Sequence, residues 1–400
     1  MVLSQIKISP IVSISEDEVK IAPKYKEKTG NKFIHFQRGE IDLPTFDEIK
    51  EEVKKALDEN KTKYPISGGD GSLKLALIEK LERYNKIKDL SLDNVVVTAG
   101  GQEALNIAFE LFTEKNGKRV KPKAAAFTPV WSLVLDNFVP YSDIQLREVI
   151  LNEDFSVNFK NLEKILSHGL DFFYLNNPCN PTGKVFSEEE LIKIGEMCKR
   201  KKVSIITDEA YEYFVYDDKK HTSVASLPEL KNNSIISTFS FSKTYSMTGF
   251  RAGYVFTKDK NIAKKMKEIQ YTHTGGIPSF IQPALITALK LEDKVIKRVK
   301  IFKERRDYLY EDLNEIDGLN IQKPDGAFYL FPDFSKLVPK KYKGDNLYIY
   351  NKLLKEGIST IPGCYFTRND NFKHNIRLSF SSTNLDMIGE GVRRIKKIFS

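Results

Sequence analysis

The sequence predicts an α/β fold: a large domain with a mostly parallel central sheet flanked by helices, plus a smaller α+β domain built from the N-terminal segment and the C-terminal part. Three observations predict it. Short, continuously apolar runs alternate with amphipathic stretches through the middle of the chain, as expected of strands buried on both faces. After about residue 285 the texture changes to one long charged helical pattern followed by short strands and helices. The chain has 400 residues, 41% hydrophobic and 29% charged, which is enough to bury a large core without staples.

In chain order, Thr45 and Glu48 have capping-box spacing ahead of a first helix. Leu73, Ala76, Leu77 and Leu81 recur at helical spacing, as do Ala104, Leu105, Ala108 and Phe112. Apolar runs predict strands at 95–98, 124–127, 172–175, 203–207, 235–239 and 252–256. Ser187 and Glu190 form a second capping-box pair. Val295, Val299, Phe302, Leu309 and Leu313 mark one long helix; residues 327–331, 347–355 and 375–380 and a Lys-rich terminal helix complete the small domain. The predicted division is 1–43 packing with the small domain, 44–285 as the large domain and 286–400 as the small one. No internal repeat or low-complexity segment interrupts it.

Composition excludes several classes. Lys and Arg total 63 against 54 Asp and Glu, a net charge of +9. The basic residues of 258–268 and 294–312 are interleaved with acids, as on solvated helix faces, and no nucleic-acid module is recognisable. Anionic small substrates suit the charge. Three cysteines (Cys179, Cys198, Cys364) without a CxxC pair fit reduced thiols and a cytoplasmic location, and the five scattered histidines offer no metal-ligand spacing. No secretion signal precedes the first element, and no apolar run reaches the ~18 residues of a membrane span.

Ligands of an open parallel sheet bind beyond the carboxyl ends of its strands. Five predicted strand ends carry chemistry. They are Gly100-Gly101-Gln102; Thr128-Pro129-Val130-Trp131, with the only tryptophan; Asn176-Asn177-Pro178-Cys179-Asn180-Pro181-Thr182-Gly183; Asp208-Glu209-Ala210-Tyr211; and Ser240-Phe241-Ser242-Lys243, followed by Gly249-Phe250-Arg251. Glycines opening a helix let backbone N–H groups approach an anion. Ser240, Ser242 and Arg251 can add hydroxyls and a guanidinium fork for a phosphate. Trp131 can stack on a ring, Asp208 can hold a ring nitrogen protonated, and Lys243 can condense with a carbonyl. Phosphate, ring, pyridinium and imine together describe pyridoxal 5′-phosphate (PLP). Taken singly, each has a plainer reading: Lys243 a surface lysine, Asp208 a cap, Trp131 core, Tyr211 a packed tyrosine, Gly100-Gly101 a tight turn. Cys179 reads as a small buried residue and His273 as structural or a pocket wall. Arg377, in an apolar strand, needs a carboxylate partner, from the chain itself or from a substrate.

These motifs resemble the class I/II aminotransferases of PLP fold type I, the aspartate aminotransferase superfamily. The resemblance runs from Phe36-Gln37-Arg38-Gly39-Glu40 and Tyr64-Pro65-Ile66-Ser67-Gly68 through the strand ends above. It continues to Lys323-Pro324-Asp325-Gly326-Ala327-Phe328-Tyr329, Ile361-Pro362-Gly363 and Asn375-Ile376-Arg377-Leu378-Ser379. The resemblance implies that Lys243 carries PLP as an internal aldimine and that Asp208 binds the pyridine nitrogen. It implies that Tyr211 and Asn180 bond the phenolic oxygen, that Trp131 stacks on the ring, and that Gly101, Gln102, Ser240, Ser242 and Arg251 hold the phosphate. Tyr64 matches a tyrosine reaching the phosphate of the neighbouring subunit, implying a homodimer with shared sites. Arg377 matches the grip on the substrate α-carboxylate, and Gly39 lies on the loop closing over it.

The implied activity is transfer of an amino group from an amino acid (aspartate, aromatic or alanine) to a 2-oxo acid, 2-oxoglutarate by family habit. Lys243 would shuttle the proton and Asp208 and Tyr211 would tune the cofactor. The sequence departs from the family in two informative places. Gln102 stands where some aspartate-specific bacterial members carry a lysine for the side-chain carboxylate, and Tyr271-Thr272-His273-Thr274 lacks the arginine that other members use from the neighbouring subunit. A PLP lyase on the same scaffold, of the carbon–sulfur β-lyase or aminocyclopropane-carboxylate synthase type, is the alternative. A winged-helix regulator carrying this fold would need an N-terminal extension, and the family pattern begins within the first 40 residues.

Overall fold

The computed structural model describes residues 9–399. The first eight residues of the 1–43 segment, and Ser400, lie outside the described residues. The large sheet has seven strands: β1 (Val95–Thr98), β2 (Lys123–Thr128), β3 (Gln145–Ile150), β4 (Phe172–Asn176), β5 (Ser204–Asp208), β6 (Ile235–Ser240) and β7 (Gly253–Phe256). Their spatial order is β1-β7-β6-β5-β4-β2-β3. Only β7 runs antiparallel to its neighbours, so the sheet is mostly parallel, as expected.

Alternate residues of each strand feed two different cores. Val95, Val97, Phe173 and Ile205 belong to one apolar cluster, and Val96, Ala124, Tyr174 and Ile206 to another. Helices cover both faces, which is why six strands read as predominantly apolar runs. The seventh, β3, escaped the sequence reading. It lies at the sheet edge, and Gln145 and Arg147 are exposed, so its pattern is broken by polar residues.

The helix Gly71–Arg83 is capped by Asp70, whose carboxylate accepts from the Ser72 amide, and buries Leu73, Leu77 and Leu81. Lys80 on the same helix is buried against Glu212 at 2.5 Å, with Asn85 and Tyr254 completing the hydrogen bonds. That pair pins the turn after β5, where the site residues begin. Ser187 and Glu190 form the expected capping box on Glu188–Arg200. The Thr45–Glu48 box does not form. Phe46 occupies the cap of the helix Asp47–Asp58, and the Thr45 hydroxyl donates to the Ser246 carbonyl instead, at 2.5 Å. A tertiary acceptor has displaced the local one.

A third core gathers Ile34 and Phe36 with Phe302, Leu309, Leu353, Leu378 and Ile388. It lies between the long helix Glu292–Asn314, the terminal helix Leu385–Phe399 and two short sheets. Ile34–His35 pairs in parallel with Ile358–Ser359, while Ile376–Ser379 lies between Tyr329–Leu330 and Ile361–Pro362.

The sequence reading did not identify the first helix, Pro10–Thr29. Pro23 lies inside it, and its apolar residues are few among charges. Its two ends hold different parts of the chain. Ser9 donates to Asp136 at 3.1 Å, and Tyr25 donates to the Glu356 carbonyl at 2.9 Å. No helix among the described residues is long and apolar enough to cross a membrane.

Ser187→Ala removes one side of an exposed capping box. It should lower unfolding stability by about 1 kcal/mol in urea titration and leave turnover unchanged, because Ser187 is exposed and its side chain bonds only within its own helix end.

Candidate active site

Strand register assembles the site. Asn176, Asp208 and Thr238 lie side by side across β4, β5 and β6. Thr98, Gly253 and Ser240 do the same across β1, β7 and β6. A Cβ on Gly253 would fall 2.6 Å from the backbone of Gly100 and Gly101. Glycine there lets the start of the helix Gly101–Glu110 press against the sheet. Above these strand ends lies a cavity of about 550 Å³.

The cavity brings together Gly39, Gly101, Gln102, Trp131, Asn180, Asp208, Tyr211, Ser240, Ser242, Lys243, Arg251 and Arg377. Of the residues assigned a cofactor or substrate role from the sequence, only Tyr64 is elsewhere. It is fully exposed and lines a separate surface hollow with Pro65, Pro278 and Phe280.

At one end, the N-terminus of Gly101–Glu110, the hydroxyls of Ser240 and Ser242, and the guanidinium of Arg251 form a cup of donors. Its chemistry suits a phosphomonoester. Ser240 also caps the short helix Phe241–Thr244, accepting from the Ser242 amide at 3.2 Å, and so aims Lys243. Lys243 Nζ donates to the Gly39 carbonyl at 2.5 Å. Removal from water, offset by Glu40 and reinforced by Arg377 and Arg251, pushes its ammonium down to about 8.

Asp208 is buried in the cavity floor. Tyr174 donates to its Oδ2 at 2.9 Å and the Ala210 amide to its Oδ1 at 3.2 Å. Burial outweighs both and pushes its carboxyl up to about 6. An acid so placed suits a protonated ring nitrogen. The Tyr211 hydroxyl lies 2.9 Å from that of Tyr329 and 3.5 Å from Asn180 Nδ2. Trp131, half-buried, packs edge-on against Phe138 and presents a flat wall to the cavity.

Arg377 is 2% exposed. Its Nη1 donates to Asn180 Oδ1 at 3.1 Å and its Nη2 to the Gln37 carbonyl at 2.7 Å, and the group lies over the rings of Tyr329 and Phe366. Its Nε has no partner among the described residues. Sequence left open whether its carboxylate partner is internal; no described carboxylate pairs with it, and burial lowers its proton affinity. The cavity therefore contains a cation aimed at an anion that the described residues do not supply.

The sequence reading missed Tyr329, Arg38, Glu40 and Thr248, and Ile11 and Ser15 of the first helix, all of which line the cavity. Tyr329 explains Gly39, because a Cβ at Gly39 would strike the Tyr329 hydroxyl. A signal for Tyr329 existed in the Gly326-Ala327-Phe328-Tyr329 string. None existed for Ile11 and Ser15, which reach the cavity only through tertiary packing. Cys179 is buried, and His273 pairs with Glu110 at 2.9 Å away from the cavity lining.

The sequence model of the family described as "Aminotransferase class I and II" matches residues 31–395. An aspartate aminotransferase of Sulfolobus acidocaldarius is 35% identical, over 95% of this chain and 93% of its own. A probable aspartate/prephenate aminotransferase of Aquifex aeolicus is 33% identical, over 99% and 97%. The crystal structure of an aspartate aminotransferase from Rhizobium meliloti superposes with a TM-score of 0.88 at 26% identity, over 99% of this chain and 97% of its own. These similarities favour amino-group transfer and not the lyase alternative.

The Asp208 carboxyl yields a pH-dependent expectation. Below the ordinary value of 3.8 it is protonated whether the chain is folded or not; above about 6 it is ionised in both states. Between them the folded protein holds the proton more tightly, so ionisation opposes folding increasingly as pH rises through about 6. In cofactor-free protein, Asp208→Asn should therefore stabilise by on the order of 2 kcal/mol at pH 8, and that advantage should vanish at pH 4, as read from thermal midpoints.

Proposed function

Because the chain belongs to the class I and II aminotransferase family, we propose that Lys243 is the covalent anchor of PLP in this enzyme. The amino donor is an acidic amino acid, aspartate first among them, and the acceptor is a 2-oxo acid such as 2-oxoglutarate. One observation carries this reading: Lys243, Asp208 and an Arg377 without a carboxylate partner among the described residues face the same cavity. The names of the relatives support aspartate over the aromatic and alanine donors.

In this reading Gly101, Gln102, Ser240, Ser242 and Arg251 hold the phosphate, Asp208 the ring nitrogen, and Asn180 and Tyr211 the phenolic oxygen, with Trp131 as the aromatic wall. When bound, PLP supplies an aldehyde carbon that accepts amines and a ring that withdraws electrons from the substrate Cα. Arg377 receives the substrate α-carboxylate through parallel N–H groups, and Asn180, already bonded to its Nη1, fixes the angle. That grip orients the Cα–H toward Lys243. With an ammonium lowered to about 8, Lys243 Nζ is neutral in an appreciable fraction near neutral pH, so it can take the Cα proton and return it on the other side of the transfer. Asp208 keeps a proton at the ring nitrogen by presenting a negative oxygen to it.

The fully exposed Tyr64, with Ile66 exposed beside it, supports a homodimer in which Tyr64 serves the other copy's phosphate cup. Three free cysteines suit a cytoplasmic location.

Borohydride reduction followed by peptide mapping should place a pyridoxyl tag on Lys243 and no other side chain. Lys243→Ala should lose turnover by about 10³-fold or more, since it removes both anchor and base. A protein that stays colourless and untagged in excess coenzyme, or a Lys243→Ala variant with normal turnover, would end this reading.

A further inference from the structure

Four cations line the cavity: Arg38, Lys243, Arg251 and Arg377. The proposed function uses the last three. Arg38 has no part in it, although it stands in the Phe36-Gln37-Arg38-Gly39-Glu40 string.

We propose that Arg38 is the specificity residue of this enzyme and receives the second, side-chain carboxylate of dicarboxylic substrates. The inference rests on the reading of Arg377 as the α-carboxylate ligand.

Position comes first. Arg38 is next to Gln37, whose carbonyl accepts from Arg377 Nη2 at 2.7 Å, and next to Gly39, whose carbonyl accepts from Lys243. The loop that touches both groups thus presents a third cation at the cavity wall. Its side chain is 44% exposed, neither lost in the core nor free in bulk water.

The fork is held in place. Arg38 Nη2 donates to Glu18 Oε1 at 2.9 Å, and Glu18, 2% exposed on the first helix, also pairs with His35 at 2.6 Å. Nη1 and Nε of Arg38 make no hydrogen bond to the described residues. One edge of the guanidinium is anchored while donors remain for an anion. Such a half-fixed fork loses less entropy on binding a carboxylate than a free side chain does.

The rest of the wall leaves a distal carboxylate little choice. Glu40 would repel it and is tied to the Thr248 hydroxyl at 2.5 Å. Gln102, standing where some aspartate-specific members carry a lysine, offers only a neutral amide. Ile11 and Leu105 are apolar. Arg38 is the remaining positive charge.

The test compares succinate, which carries two carboxylates and cannot react, with propionate, which carries one. Calorimetry on the PLP-loaded enzyme should show wild type binding succinate more tightly. Arg38→Gln should reduce the succinate-to-propionate preference by about 10- to 100-fold, the range of one charged hydrogen-bonded contact. Arg38→Lys should keep an intermediate preference, and it reads the same ratio should the glutamine variant not fold. The ratio of kcat/KM for aspartate over alanine should fall in parallel. An unchanged preference in Arg38→Gln, equal losses for both acids, or a wild type without preference overturns the assignment and leaves Arg38 as a strut for the first helix. A wild type that binds neither acid overturns the reading of Arg377 itself.

Discussion

The site is organised around a buried positive charge that no carboxylate among the described residues neutralises. Arg377 comes from a strand of the small sheet, bonds Asn180 from the loop after β4, and bonds the carbonyl of Gln37 from the N-terminal loop. Three distant stretches of chain meet on one guanidinium. A cation removed from water is costly unless paired, and here the pairing is two neutral acceptors and two aromatic faces. In the proposed function a substrate α-carboxylate is the anion this guanidinium receives, so the strongest contact of the site is reserved for the correct ligand.

Burial acts in opposite directions on the two other charged groups. It raises the carboxyl of Asp208 to about 6 and lowers the ammonium of Lys243 to about 8. Both shifts favour the neutral form and bring the groups near the pH at which protons must move. The arrangement is electrostatically unfavourable for the empty protein. It is tolerated because sheet register, the Ser240 cap and the buried Lys80–Glu212 pair fix the elements that carry it. In the proposed function, cofactor and substrate supply the missing partners.

Legibility followed burial. The strands at 95–98, 172–175 and 235–239 were readable because both faces of each are covered, so most residues are apolar and the few that are not, such as Thr98, Ser237 and Thr238, are small and buried. The edge strand β3 was not, since one side of it meets water and its pattern mixes Gln145 and Arg147 with Val149. The Ser187 box formed because its competitors are only solvent. The Thr45 box failed because the Ser246 carbonyl, distant in sequence, offers a better acceptor. Glycine at 39 carried no explanation until the Tyr329 hydroxyl was seen against it.

Sequence by itself determined the alternation of strands and helices, the five chemically loaded strand ends and the identity of the residues they carry. These are local properties: hydrophobic periodicity, turn chemistry and short motifs are written in consecutive residues. Tertiary structure alone decided that Arg377 has no carboxylate partner among the described residues, that Tyr64 lies outside this chain's cavity, and that the first helix reaches the site through Ile11 and Ser15 and anchors Arg38 through Glu18. Each of these depends on contacts between residues tens to hundreds of positions apart, whose proximity no local pattern encodes.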